Sequence, residues 1–240
     1  MMALQGFILF NLLWQIAAWC VKSPALPVPT KVYAKLPELW EKGLAAHVLA
    51  SCTRLMVGLV LSLLIGGCLG LAMGKNKKID GILSPLVYFI YPIPKTALLP
   101  ILMILYGLGD SSKITLIVLI TVFQVIVTVR DSVLRINPTY YHVIKSLGGS
   151  RIQCFWQVTL PALLPDLLTT MRISVGTALS VLFFAENYGT QYGLGYFIQD
   201  AWGRLSYISM YGGILTMSIL GCTLFMLIDG LAAISCKGSK

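Results

Sequence analysis

The sequence predicts an all-α membrane protein of about six transmembrane helices, formed as one domain over residues 1–240. Three observations carry this. Hydrophobic residues make up 57% of the chain and charged residues only 11%, whereas a soluble domain carries about 25% charged residues. Six apolar segments meet or approach the roughly 20 residues that a helix needs to cross a hydrocarbon core. The short connections between those segments collect Lys and Arg, as cytoplasmic loops do.

The first segment is 3–20. "MMALQG" has no basic start of the kind a signal peptide carries, and "FILFNLLWQIAAWC" leads into no small-residue cleavage site. Trp19 is a poor neighbour for Cys20 in a lipoprotein cleavage box, so the segment is read as a spanning helix. Residues 21–54 follow. Pro27 and Pro29 block helix and bias the residues before them, so an amphipathic surface helix is expected from about Pro37, with Leu36, Trp40 and Leu44 on its apolar side.

The second segment, 55–74, carries Gly66, Gly70 and Gly74 at a spacing of four, a close-packing signature within the subunit or at a dimer seam. The third, 83–107, contains Pro92, Pro94 and Lys95. The prolines remove backbone donors and are expected to kink or open the helix. The fourth, 114–129, is short. The fifth, 162–185, is interrupted by Asp166 and Arg172, whose spacing of six keeps them off one helical face. Each is expected near the cytoplasmic entrance of the bundle. A Gly-rich stretch, "NYGTQYGLGYFIQDAWGRL", then reads as a re-entrant or outer surface helix. The sixth segment is 208–233.

Lys75, Lys77 and Lys78 fall in one connection, and Arg130, Arg135, Lys145 and Arg151 in another. Six passes place both on the same side as Lys237 and Lys240. That side is read as cytoplasmic, with both termini inside. Lys22, Lys31, Lys35, Lys42 and Arg54 oppose this from a connection whose length weakens its vote.

The formal net charge of +9 comes with no basic stripe interleaved with aromatics on a polar domain, so no nucleic-acid partner is expected. Anionic membrane lipid is the expected partner of these cations. The six cysteines (Cys20, Cys52, Cys68, Cys154, Cys222, Cys236) are scattered without metal-ligand spacing. The only histidines are His47 and His142. No metal site and no catalytic residues are expected. "GLGDSSK" (107–113) lacks the spacing of a nucleotide-binding P-loop, so the chain is not expected to hydrolyse ATP itself.

The polar interval "YYHVIKSLGGSRIQCFWQVTLP" (140–161) is the odd one in so apolar a chain. Pro138 suits a helix start and Gly148-Gly149 a helix end. A second polar helix, 150–159, then feeds Pro161 and the fifth span. The pair forms a short, rigid knob on the cytoplasmic face.

This interval resembles the loop of permease subunits of bacterial ABC importers. That loop reads Glu-Ala-Ala, three residues, Gly, nine residues, Ile, one residue, Leu-Pro. Here Gly148 is followed after nine residues by Val158, Thr159, Leu160 and Pro161, while His142-Val143-Ile144 stands in place of Glu-Ala-Ala. Three further stretches look like the nitrate/sulfonate/taurine branch of these permeases. They are "PIPKTALLPILMILYGLGDSSKI" (92–114), "LPALLPDLLTTMRISVGTALS" (160–180) and "AENYGTQYGLGYFIQDA" (185–201).

The resemblance implies a multi-pass permease of the bacterial cell inner membrane, with a cytoplasmic coupling helix between the fourth and fifth spans. It implies that residues 142–149 dock on an ABC ATPase subunit. The expected contact set is Tyr140, Tyr141, His142, Val143, Ile144, Lys145, Ser146, Leu147, Gly148, Gly149 and Arg151. With the family's carboxylate missing, Lys145, Arg151 and the Tyr140-Tyr141 pair are the foremost contacts. The implied partners are two ATPase subunits, an extracytoplasmic substrate-binding protein and a second permease copy. ATP and Mg belong to the ATPase subunits, and no cofactor is expected on this chain. The substrate class is a small anion such as a sulfonate, nitrate or bicarbonate, moved by alternating access, although related permeases carry vitamin precursors.

The expected pathway residues are Lys95, Glu186, Tyr188, Tyr192 and Tyr196. Two readings of Lys95 stand. It faces a watery cavity and attracts an anion, or it has a structural role, pairing with a carboxylate such as Glu186 or snorkelling. The tyrosines line a gate or form an interfacial belt. The competing function is an autonomous ion-coupled secondary transporter using Lys95, Glu186 and Asp166. The coupling-type loop argues against it, as does the lack of an inverted repeat of broken helices.

Overall fold

In a computed structural model of the chain, residues 2–235 are described; Cys236, Lys237 and Lys240 lie outside them. Five of the six predicted segments are continuous helix, and the third is two helical pieces. The elements are α1 (Met2–Val21), α2 (Pro29–Leu39), α3 (Ala45–Lys75), α4 (Lys77–Ile90), α5 (Leu99–Tyr106), α6 (Asp110–Arg135), α7 (Pro138–Ser146), α8 (Arg151–Cys154), α9 (Leu160–Glu186), α10 (Leu194–Gly203) and α11 (Tyr207–Ser235). Five-residue π-helical turns, Trp40–Leu44 and Phe155–Thr159, join α2 to α3 and α8 to α9.

Among the described residues, four helices are long and apolar enough to cross a membrane: Pro29–Lys75, Asp110–Arg135, Arg151–Glu186 and Tyr207–Ile234. A fifth span is made if Lys77–Ile90 and Lys95–Tyr106, bent by 82°, count as one. Gln5–Val21 is a shorter apolar helix. The expected kink in the third segment is therefore a full break.

One boundary and one side-chain placement differ from expectation. The surface helix begins at Pro29, not near Pro37. A proline at the first helical position lacks a donor that would be unpaired anyway, and its fixed φ suits a helix start. Trp40 is exposed, while Leu39 and Leu44 are buried. The π-turn, with Gly43 at φ +102°, rotates the helix face and carries Trp40 outward.

The chain divides into two compact units. One holds the residues up to Thr53 together with Phe183–Leu220. Its core has two clusters. Trp14, Val32 and Leu215 pack with Tyr33, Ile208 and Tyr211, and the Trp14 and Tyr211 rings stack at 5.4 Å. Leu39, Leu44 and Leu194 pack with Val48, Phe197 and Met217. Gly212 admits Leu39, whose Cδ1 lies 2.6 Å from where a Cβ would stand.

The other unit holds Arg54–Leu182 and the residues from Gly221 onward. Leu55, Leu59, Ile117, Val175, Ala178, Leu182 and Leu224 form its main cluster, contributed by α3, α6, α9 and α11. The glycine spacing of four is an internal seam between α3 and α6. A Cβ at Gly66, Gly70 or Gly74 would lie 2.7–2.8 Å from Val125, Val129 and Val133 or from an α6 carbonyl. Small residues let two backbones approach this closely. Ser62 and Thr121 hydrogen-bond across the same seam at 2.6 Å. Arg130 of α6 grips Asp80 of α4 through two nitrogens, Nε to Oδ1 at 2.5 Å and Nη2 to Oδ2 at 2.9 Å, the bidentate geometry that holds such pairs in one orientation.

Candidate functional site

The knob is built as a local motif with each end capped. α6 stops at Arg135, and Ile136 and Asn137 are extended. The Asn137 side chain accepts from Thr139 N at 2.9 Å, and Pro138 opens α7. At the other end Gly149 N donates to Ile144 O at 2.9 Å and Gly148 N to Lys145 O at 3.0 Å. These two bonds form the Schellman closure, which needs a left-handed residue at its corner. Gly148 supplies it at φ +78°. Gly149 is required for space instead, because a Cβ there would lie 2.4 Å from the Ile144 side chain.

Ser150 restarts the helix with a capping box. Its Oγ accepts from Gln153 N at 3.3 Å, and Gln153 Oε1 accepts from Ser150 N at 2.6 Å. Both orphan donors of the new helix are thereby partnered. A bond of 3.0 Å between the Tyr141 and Thr159 hydroxyls ties α7 to the following turn. Lys75 lies over the Phe155 ring at 5.2 Å.

No residue of α7 is buried. Tyr140, His142, Val143, Lys145, Ser146, Leu147, Gly148 and Arg151 are exposed, while Tyr141, Ile144 and Gly149 are half-buried. Leu147 is 79% exposed and Ile152 70%. Val143 and Leu147, one helical turn apart, present an exposed apolar stripe, with Lys145 exposed on the opposite face of the helix and Arg151 exposed at the start of α8. A rigid helix with such a stripe can lie in a groove of another protein. Beside the knob, a cleft of about 560 Å³ is lined by residues that include Arg135, Asn137, Tyr140, Gln157, Pro161 and Asp166. Asp166 accepts from Ser132 Oγ at 2.7 Å and pairs with Arg135 at 2.5 Å.

Lys95 stands at the break of the third segment. Its ammonium donates to Ile90 O at 3.0 Å and to Tyr91 O, at a helix end where Pro92 and Pro94 supply no amide donor and Ile90 O also accepts from Ile93 N at 3.1 Å. It also lies 4.9 Å above the Phe123 ring and 5.3 Å from the Tyr91 ring. Among the described residues no carboxylate pairs with it. The contacts around its ammonium are carbonyls and ring faces.

Glu186 is fully buried. Its carboxylate accepts from Ser51 Oγ at 2.8 Å and from Gly195 N at 2.8 Å, while Ser51 Oγ accepts from Leu194 N at 2.7 Å. The loop that carries Tyr192 is thus wrapped around it. Gly193, at φ +141°, would place a Cβ 2.4 Å from the Glu186 carboxyl carbon, and Gly195 would place one 2.5 Å from Phe183 O. Tyr192 and Tyr196 meet at His47, with ring centroids 5.6 and 6.0 Å away. Tyr188 is exposed and stands outside that stack.

Sequence reasoning gave no site role to His47, Ser51, Arg54 or Lys113. Lys113 is completely buried, donating to Leu108 O at 2.7 Å and Gly109 O at 3.2 Å. Arg54, 4% exposed, meets Asp110 at 2.7 Å. The available signal was polar residues at buried positions of helical periodicity. Among the described residues, no group of three or more His, Cys, Asp or Glu could hold a metal ion.

Comparison with known proteins gives the family. The model of the binding-protein-dependent transport system inner membrane component matches residues 58–237. The taurine transport system permease protein TauC of Escherichia coli is 34% identical, over 95% of this chain and 84% of that protein. The formylaminopyrimidine transport permease protein ThiX of Halalkalibacterium halodurans is 29% identical over 90% and 86%. The bicarbonate transport system permease protein CmpB of Synechococcus elongatus is 28% identical over 87% and 79%. A chain of the MetNI methionine ABC transporter shares the fold at a TM-score of 0.61 and 20% identity, over 78% of this chain and 95% of that one. The chain is a permease of the inner membrane and belongs to the family of inner membrane components of binding-protein-dependent transport systems.

Proposed function

We propose that the chain is the single-domain transmembrane subunit of an ATP-driven importer, paired with a second copy, two ATPase subunits and an external substrate-binding protein. The observation that carries this is the knob, a helix closed by Gly148-Gly149 with every α7 side chain outside the core. ATP and Mg are bound by the ATPase subunits. Their closure pushes α7, and α7 acts on the span that follows because the π-turn Phe155–Thr159 joins α8 to α9 without a break. Apolar contact comes from Val143 and Leu147, and charge from Lys145 and Arg151.

The substrate is a small anion such as a sulfonate, nitrate or bicarbonate. Relatives named for taurine and bicarbonate support that class. Lys95 adds positive charge to the pathway. Tyr188, Tyr192 and Tyr196 serve its gate, with Glu186 holding the loop of Tyr192.

The test is uptake in proteoliposomes carrying the full complex, with the binding protein supplied outside and ATP inside. Uptake requires ATP, and Gly148→Val abolishes most of it while the complex still assembles. A β-branched residue at positive φ distorts the closure of α7. Uptake without ATP, or full substrate-stimulated hydrolysis in the Gly148→Val complex, defeats the reading.

A further inference from the structure

α9 and α11 carry a polar stripe on an otherwise apolar surface. On α9 Thr169, Arg172 and Ser180 are exposed, with half-buried Gly176 between them at helical spacing. On α11 Cys222 and Asp229 are exposed two turns apart. The stripes join at one ion pair, Arg172 Nη1 to Asp229 Oδ1 at 3.0 Å, whose side chains are 53% and 49% exposed.

A half-exposed ion pair on a membrane span does not face hydrocarbon, because charged side chains are tolerated there only toward water or protein. The neighbouring hydroxyls bond back onto their own helix, Thr169 to Pro165 O at 2.9 Å and Ser180 to Gly176 O at 3.1 Å. The stripe also continues a cleft of about 560 Å³ between α6 and α9, lined by Thr128, Asp131, Arg135, Asp166, Thr169 and Thr170 among others. Arg172 lies one turn beyond Thr169, about 18 Å along the helix from Leu160.

The guanidinium is held in place and is not saturated. Its carbon sits 5.9 Å above the Phe225 ring, and Gly176 leaves room for that ring, whose Cζ is 3.7 Å from where a Cβ would stand. The contact with Asp229 takes one of five N–H donors. The planar fork that remains matches an oxyanion such as a sulfonate, which a lysine ammonium does not.

We propose that Arg172, steadied by Asp229 and Phe225, is an oxyanion-binding residue on the water-facing wall of the transport passage. The proposal rests on the transport reading above and assigns that transporter a residue that selects for charge.

The test uses the complete complex in proteoliposomes. Cys20, Cys52, Cys68, Cys154, Cys222 and Cys236 are replaced by serine, and Thr169→Cys serves as reporter. Two membrane-impermeant methanethiosulfonate reagents, one bearing a sulfonate and one a quaternary ammonium, are compared by their rates of thiol modification. Arg172→Gln lowers the anionic-to-cationic rate ratio about tenfold, the effect of removing one nearby charge in water. Asp229→Asn raises the ratio, and Arg172→Lys keeps most of it. Added 2-aminoethanesulfonate slows modification when Arg172 is present and not in Arg172→Gln.

Absence of modification by either reagent means that protein or lipid seals the stripe, and overturns the proposal. So does a ratio unmoved by all three variants, or protection that survives Arg172→Gln. Should Arg172→Gln fail to fold, Asp229→Asn and Arg172→Lys still decide the matter. Labelling needs no ATP turnover, so failure of the importer reading would appear separately, as absence of ATP-driven uptake by the unmodified complex.

Discussion

The knob and the cradle around Glu186 both turn on glycines at positive φ, yet the glycines serve opposite ends. At Gly148 a Cβ would meet nothing within 4 Å, and only the backbone angle of +78° matters. At Gly193 the angle is +141° and a Cβ would drive into a buried carboxylate. The first glycine shapes a surface that stays exposed. The second allows a loop to close on a carboxyl group that its own unit has taken out of water. A positive φ therefore does not say what a glycine is for; the neighbours do.

The same substitution at both sites separates the two roles. Gly193→Ala should have the largest effect, about 3 kcal/mol or more, since backbone strain and displacement of the carboxylate act together. It should appear as a large fall in melting temperature of the purified protein, with faster hydrogen exchange at residues 187–195. A melting temperature close to the parent's would show that the cradle does not hold the loop. Gly148→Ala carries only the cost of a left-handed non-glycine residue, about 1–2 kcal/mol. Its melting temperature should stay close to the parent's while binding of the ATPase subunits weakens; the reverse order would dissolve the distinction. Ser150→Ala removes one cap, worth about 1 kcal/mol locally. Faster hydrogen exchange confined to residues 150–154 should be its only clear mark.

Much of this was legible in the sequence, for physical reasons. Apolar periodicity and length located all six helical segments, and proline and glycine placed α7 within its observed bounds, because those signals act over a few residues. The Gly66, Gly70 and Gly74 seam was readable as spacing, but its partner α6 was not. Pro29 misled because one residue both blocks a helix interior and opens a helix. The bond between Ser51 and Glu186 joins residues 135 apart, and no local pattern announces such a partner. Lys113 was hidden for another reason. Its ammonium returns to carbonyls four and five residues back, so a fully buried charge leaves the pattern of an ordinary helix start.

The break in the third span bears on how the chain is made. Lys77–Ile90 has 14 residues, and the piece beyond the break is shorter still. Each falls below the length at which a segment leaves the insertion machinery for lipid by itself. Their anchors come later in synthesis: Phe123 and Arg130, both on α6, cover Lys95 and grip Asp80. The two half-helices must wait until α6 has emerged, so the order in which this region settles is not the order in which it is translated.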